Sequence, residues 1–247
     1  MNIASSTPVA LVTGGSRGIG AAISRRLAAD GFAVAINYAG RHQEAEALAT
    51  ELIADGGQAL ALQADVANPQ SVQSLFDAIE ARFGGVDVVV NSAGVLELAS
   101  LAESEDSLFD RLIAINLKGA FNVLRESARR VRDGGRIVTL STSVVGFKLE
   151  RYGVYAASKA AVETMSAILS KELRGRGITV NAVAPGPTAT SLFLEGKSAE
   201  LIDRLAKMSP LERLGTPDDI AAAVAFLAGA DGGWINGQVL RANGGAV

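Results

Sequence analysis

The chain contains no cysteine among its 247 residues. Disulfides, thiolate nucleophiles and cysteine-based metal sites are therefore excluded. Histidine is nearly absent as well: His42 is the only one. That rules out histidine clusters and a Ser-His-Asp triad built near Ser143 in sequence, and His42 itself reads as an exposed residue at a helix start. Aromatics make up only 5% of the chain, so any core must be aliphatic. Neither sign of charge is in excess, with 23 Lys and Arg against 26 Asp and Glu and a net charge of −3. Such a balance gives no reason to expect nucleic acid or an anionic membrane as partner. No apolar run is long enough to span a bilayer, and Met1–Pro8 lacks the charged and apolar regions of a signal peptide. A cytoplasmic protein is expected. What is plentiful is aliphatic: 49% hydrophobic against 20% charged residues, the balance of a globular protein.

Short apolar runs alternate with longer amphipathic segments. Strands are expected at Val9–Thr13, Phe32–Ile36, Ala59–Gln63, Val86–Asn91, Arg136–Ser141, Ile178–Val183 and Gln238–Ala242. Helices are expected at Gly18–Asp30, Gln43–Asp55, Pro69–Phe83, Ser107–Arg132, Tyr152–Arg174 and Pro217–Ala228. Buried strands alternating with helices imply an α/β fold, a doubly wound parallel β-sheet flanked by helices on both faces. No repeat or linker interrupts it, so residues 1–247 are expected to form a single domain. The irregular stretch at about 186–210, between Pro185 and Pro210, reads as a loop with one or two short helices. Segments of that length inside a domain commonly serve as lids.

Thr13-Gly14-Gly15-Ser16-Arg17-Gly18-Ile19-Gly20 follows the first strand and opens the first helix. Glycines let the backbone approach a pyrophosphate, and the helix N-terminus offers unpaired N–H groups and the positive end of its dipole. This placement makes the turn a dinucleotide-binding candidate. No Gly-Lys-Ser/Thr follows, so a Walker-type loop is excluded. A site for NAD usually ends its second strand with an acid for the ribose 2′-hydroxyl. Here the strand ends Ile36-Asn37-Tyr38-Ala39-Gly40-Arg41, with no acid before Glu44. Arg17 and Arg41 are placed to meet a 2′-phosphate. NADP is favoured over NAD.

Tyr155 and Lys159 stand at i and i+4 and share a helix face. A free tyrosine has a pKa of about 10, so only ~0.1% is phenolate at pH 7. A neighbouring cation lowers such a group by roughly 1–3 units, into the range useful for general acid–base catalysis. Tyr38 and Tyr152 have His42 and Ala156 at the same offset, so Tyr155 alone has a lysine partner.

Together these motifs resemble the short-chain dehydrogenase/reductase family, over almost the whole chain. Besides the glycine turn and the Tyr-x-x-x-Lys pair they include Asp65-Val66, Asn91-Ser92-Ala93-Gly94, Asn116, Ser143 and Pro185-Gly186, in order. The resemblance implies a Rossmann-type fold and a carbonyl–alcohol oxidoreductase with Tyr155 as general acid or base. It implies that Lys159 holds the ribose hydroxyls and lowers the phenol's pKa, that Ser143 holds the substrate oxygen, and that Asn116 helps a water chain reach Lys159. The cofactor would be bordered by Gly14, Ser16, Arg17, Gly18, Ile19, Gly20, Asn37 and Arg41. Asp65 and Val66 would meet the adenine, and Asn91, Ala93 and Gly94 the adenosine ribose. Pro185 and Gly186 would shape the nicotinamide site, with Thr188 and Thr190 reaching its carboxamide. Ser141, Thr142 and Ser143 all lie near the strand end; Ser143 is chosen because Ser143–Gly146 fits the family's Ser-x-x-Gly pattern. It stands twelve residues before Tyr155, where thirteen is the commoner spacing.

Val95, Leu96, Val145, Phe147, Leu149, Tyr152, Leu192 and Phe193 either line an apolar substrate pocket or serve as core or oligomer contacts. The pattern is similar to 3-oxoacyl-acyl carrier protein reductases, and Arg129, Arg130, Arg132, Arg174 and Arg176 could dock a carrier protein or be solvated helix charges. A regulatory protein that binds NADP without turnover is the competing class, against which the complete Tyr and Lys set argues. Family members commonly assemble as homotetramers or homodimers through the two long helices and the last strand.

Overall fold

The computed structural model describes residues 7–247, apart from the side chain of Leu192. The N-terminal stretch read above against a signal peptide falls largely outside that range, as does Leu192's expected place in a pocket wall. Seven strands form one parallel sheet: β1 (Val9–Thr13), β2 (Ala33–Tyr38), β3 (Gln58–Gln63), β4 (Val86–Asn91), β5 (Val131–Leu140), β6 (Thr179–Pro185) and β7 (Val239–Ala242). Their order is β3-β2-β1-β4-β5-β6-β7. The winding reverses between β1 and β4, and there a crevice opens beyond the strands' carboxyl ends.

Alternation along β1 explains the layers. Ala10 and Val12 face α1 (Gly18–Ala29), α2 (His42–Ala54) and α10 (Pro217–Ala228), packing on Ile23, Leu48 and Val224. Val9 and Leu11 face α3 (Pro69–Phe83), α5 (Ala120–Arg130) and α7 (Gly153–Glu172), packing with Phe76, Val123 and Leu169. Every residue of β1 and β2 is buried, as strands covered on both faces must be.

The long helix expected at Ser107–Arg132 divides into three stretches. α4 (Asp106–Leu112) passes into a π-helical stretch at Ile113–Gly119, and α5 follows without a break. The added residue per turn re-aims Asn116, and such bulges frequently sit at functional sites. α5 also ends earlier than the periodicity predicts, because Val131 pairs with Val86 and Arg132 reaches Asp87 at 3.0 Å. β5 therefore begins before the Asp133-Gly134-Gly135 irregularity, with Gly134 at φ 81°.

After β5 come the single turn α6 (Val144–Phe147) and then α7. The segment after Pro185 carries α8 (Ser191–Leu194) and α9 (Ala199–Ala206), capped by Thr190 and Ser198. A capping box between Thr216 and Asp219, with Pro217 in the first turn, starts α10.

Candidate active site

One cleft of about 510 Å³ runs along the carboxyl ends of the strands. At its centre the turn after β1 bends through Gly14 at φ 60°, where a Cβ would come within 2.9 Å of the Ala93 Cα. Gly20 is closer still: its Cβ would lie 2.1 Å from the Gly14 carbonyl oxygen. Only glycine permits this packing of turn, helix and the chain after β4. Arg17 is the N-cap of α1 and makes no side-chain cap hydrogen bond. The first amides of α1 thus lack a side-chain partner and meet a cleft bordered by Gly14, Ser16, Arg17, Gly18, Ile19 and Gly20.

At one end the wall is Asn37, Tyr38, Ala39, Gly40, Arg41, Asp65 and Val66. Asn37 is buried and donates to the carbonyls of Leu62 and Ala64 at 3.3 and 3.0 Å, tying β2 to β3. Arg41 faces the cleft but pairs with Glu44 at 2.6 Å. His42 opens α2, as expected, and is exposed, with Nδ1 2.7 Å from the Tyr38 hydroxyl. Asp65 accepts from the Ala67 amide at 2.9 Å, while Asn68, not Asp65, caps α3.

Ala93 and Gly94 line the cleft; Asn91 does not. Asn91 is buried and accepts from the Thr13 hydroxyl at 3.0 Å, and that hydroxyl oxygen accepts from the Ser92 and Ala93 amides at 3.1 Å. Asn91 therefore braces β1 against β4, and Ser92 supplies cleft wall in its stead. Asn116 likewise stands behind the wall: it accepts from the Val95 amide at 2.8 Å and donates to the Val95 carbonyl at 2.9 Å. Its carboxamide is committed to holding the chain after Gly94. At the other border Pro185, Gly186, Thr188 and Thr190 all line the cleft. Thr188 donates to the Gly186 carbonyl at 2.9 Å, and Thr190 accepts from the Phe193 amide at 3.2 Å.

Tyr155 and Lys159 meet the cleft from the first turns of α7. Lys159 is buried, and its Nζ donates to the Leu140 carbonyl at 2.8 Å. Burial lowers its pKa to about 8, because removal from water disfavours the charged form. The same cause pushes the Tyr155 phenol up to about 12, against a hydrogen bond from Thr142 that favours the phenolate. The expectation that Lys159 depresses the phenol's pKa is thus not met in this site: desolvation dominates the phenol, and the ammonium is turned to a backbone carbonyl.

The three hydroxyls after β5 separate cleanly. Ser141 donates to the Glu163 carboxylate. Ser143, although at the cleft wall, donates to the Ala184 carbonyl at 3.1 Å and accepts from Asn243 Nδ2 at 3.0 Å. Thr142, which lines the cleft with Tyr155, is the one that favours the Tyr155 phenolate. A signal for it was present, since thirteen residues separate Thr142 from Tyr155. The Ser-x-x-Gly pattern outweighed it.

Of the apolar candidates, Val95, Leu96, Phe147, Leu149, Tyr152 and Phe193 line the cleft, joined by Leu205 and Met208. Val145 lies behind it, in a separate hollow with Glu163 and Arg241. The five arginines considered for carrier docking sit at the amino ends of β5 and β6, the opposite edge of the sheet from the cleft. Four are neutralised: Arg129 by Glu126, Arg130 by Asp77 and Glu80, Arg132 by Asp87 and Arg176 by Asp133.

Fold and cleft define a dinucleotide-binding α/β protein with a half-buried tyrosine and a buried lysine at the inner end of its site. The chain belongs to the short-chain dehydrogenase/reductase family. A family model described as enoyl-(acyl carrier protein) reductase matches residues 14–247. A short-chain type dehydrogenase/reductase of Picea abies is 47% identical over 249 residues, covering 97% of this chain and 92% of the relative. An Arabidopsis thaliana protein named NADPH-dependent aldehyde reductase-like, chloroplastic, is 45% identical over 97% of this chain and 94% of its own length. A short-chain dehydrogenase from Burkholderia cenocepacia, solved in complex with NADP, superposes with a TM-score of 0.92 at 39% identity, over 98% of each chain.

Proposed function

We propose that the chain, acting as a single domain, is an NADP(H)-dependent oxidoreductase that interconverts a carbonyl compound and a secondary alcohol by hydride transfer. The observation that carries this reading is the half-buried Tyr155 phenol and the buried Lys159 lining one cleft with Thr142, beside a glycine turn on a helix N-terminus. The NADPH in the Arabidopsis relative's name and the NADP in the Burkholderia structure support the choice of cofactor.

The residues fit such a group. Any side chain at position 14 would close the approach to Ala93, and the uncapped start of α1 leaves donors for a pyrophosphate. Arg17 and Arg41 would hold a 2′-phosphate, Asp65 and Val66 the adenine, Lys159 the ribose hydroxyls, and Thr188 and Thr190 the carboxamide. When bound, NADPH supplies the hydride; the protein supplies orientation and a proton. A phenol pushed up to about 12 is protonated at neutral pH, the state required to give its proton to the forming alkoxide. The Thr142 hydroxyl favours the phenolate left behind. Ser143 and Asn116 act as positioning residues, holding the Thr142 loop and the chain at Val95.

A carrier-protein-bound substrate has less support, because the arginines that would dock it lie at the far edge of the sheet and are mostly paired. The test is a panel of ketones and aldehydes with NADPH and NADH, followed by loss of reduced-cofactor absorbance. Carbonyl-dependent oxidation with NADPH preferred is expected. NADPH binding without turnover across the panel overturns the reading in favour of a non-catalytic binder.

Assembly as a homotetramer, or a homodimer if one face is used, has support in exposed apolar residues on the two long helices and the edge strand. Phe109, Phe121, Ile168, Val239 and Leu240 are such residues, and Trp234 beside β7 is 98% exposed. Light scattering after gel filtration should give a multiple of the 25.4 kDa chain mass; a monomer overturns it. Among the described residues no helix is long and apolar enough to cross a membrane. The cytoplasmic reading predicts the protein in the cytosol on cell fractionation, whereas recovery in an organelle, as the Arabidopsis relative's name suggests for that protein, contradicts it.

A further inference from the structure

Resting on the oxidoreductase reading, we propose that the substrate is an uncharged, apolar carbonyl compound bearing an aromatic ring. The charged residues that line the cleft are four. Arg17, Arg41 and Asp65 stand at the phosphate turn and its adenosine side, and Lys159 stands at the reacting centre. The part beyond Tyr155 carries no charged side chain among the described residues. Its walls come from three separate chain segments: Val95 after β4, Phe147, Leu149 and Tyr152 before α7, and Phe193 and Met208 from the segment after β6. Lys197, on that same segment, is not among the residues that line the cleft. Its ammonium lies 4.6 Å from the centre of the Phe193 ring and donates to the Phe193 carbonyl, outside the lining.

A carboxylate or phosphate entering this part would leave water and find no cationic partner, which is strongly unfavourable. An apolar group would instead displace water from apolar walls. The aromatic preference has its own observation. The chain has 8 Phe, 3 Tyr and 1 Trp, yet Phe147, Tyr152, Tyr155 and Phe193 all line this one part of the cleft. The Tyr152 and Tyr155 rings already meet edge to face, with centroids 6.2 Å apart at 64°. Rings arranged this way receive a further flat ring through offset or edge contacts.

The experiment compares three ketones with wild-type protein and saturating NADPH: acetophenone, its 4-carboxylate derivative and cyclohexyl methyl ketone. The kcat/KM for acetophenone is expected to exceed that for the carboxylate by at least about tenfold, the partnerless charge being the cause. It should also exceed that for the cyclohexyl compound. A carboxylate ratio below ten, or the cyclohexyl ketone ahead of acetophenone, overturns the substrate class and leaves the hydride-transfer reading standing. Bound NADPH with no turnover of these or any other carbonyl overturns that reading, and the proposal with it. Phe193→Arg supplies a second arm: a cation in this wall should shift the ratio towards the carboxylate by about tenfold, and an unchanged ratio counts against Phe193 as substrate wall.

Discussion

Replacing Thr142 by valine and Ser143 by alanine separates the two neighbouring hydroxyls by function. Valine keeps the shape of threonine and removes the hydroxyl that favours the Tyr155 phenolate. A donor aimed at oxygen charge that develops in the transition state contributes about 10²–10³ in kcat, so Thr142→Val should lower kcat by that factor. It also deletes the acceptor for the Val144 amide at 3.3 Å, a loss of about 1 kcal/mol in stability. Ser143→Ala does the reverse. It removes a donor to the Ala184 carbonyl and an acceptor for Asn243, both buried. At roughly 1 kcal/mol for each of the two bonds the loss is about 2 kcal/mol. For a chain of this size that corresponds to roughly 4–8 °C in Tm. The assay is steady-state NADPH oxidation beside a thermal melt for each variant. The assignment is refuted if Ser143→Ala loses 100-fold in kcat at unchanged Tm while Thr142→Val stays within threefold of wild type.

Lys159→Met tests the buried ammonium through pH. The folded pKa of about 8 lies below the ordinary 10.5, so the unfolded chain binds more protons between those values and stability rises with pH there. Relative to the variant, wild type should gain about 3 kcal/mol between pH 7 and 10.5; a flat difference in chemical-denaturation stability contradicts the buried charge. Arg17→Ala should raise the KM for NADPH by about tenfold and leave that for NADH nearly unchanged, as loss of a charge-assisted contact to phosphate requires. Arg41→Ala should do less, because Arg41 must first leave Glu44. Equal effects of either variant on both cofactors, measured by initial rates, would remove the 2′-phosphate assignment.

Local signals carried much of the fold into view. Strand cores such as Val9–Thr13 and Val86–Asn91 are apolar runs whose bounds depend on little beyond themselves. The glycine turn and the Tyr155–Lys159 spacing are also local, and their places at the cleft follow from the winding of the sheet. What stayed hidden depends on distant partners. Asn91 turns from the cleft because Thr13, 78 residues away, offers its hydroxyl. Ser143 is drawn off by Asn243, 100 residues on, which leaves Thr142 to Tyr155. The π-helical turn around Asn116 answers to Val95 and to close packing of Gly119 on Val66. Arg130 and Arg132 read as part of a possible basic patch because their acidic partners, Asp77, Glu80 and Asp87, come from other elements.

The central claim is that Tyr155 gives the proton to the reduced carbonyl oxygen. Tyr155→Phe keeps the ring and removes the hydroxyl alone. At saturating NADPH and ketone, kcat should fall by at least about 10²-fold, with NADPH still bound as judged by its fluorescence. Full activity in that variant would contradict the account.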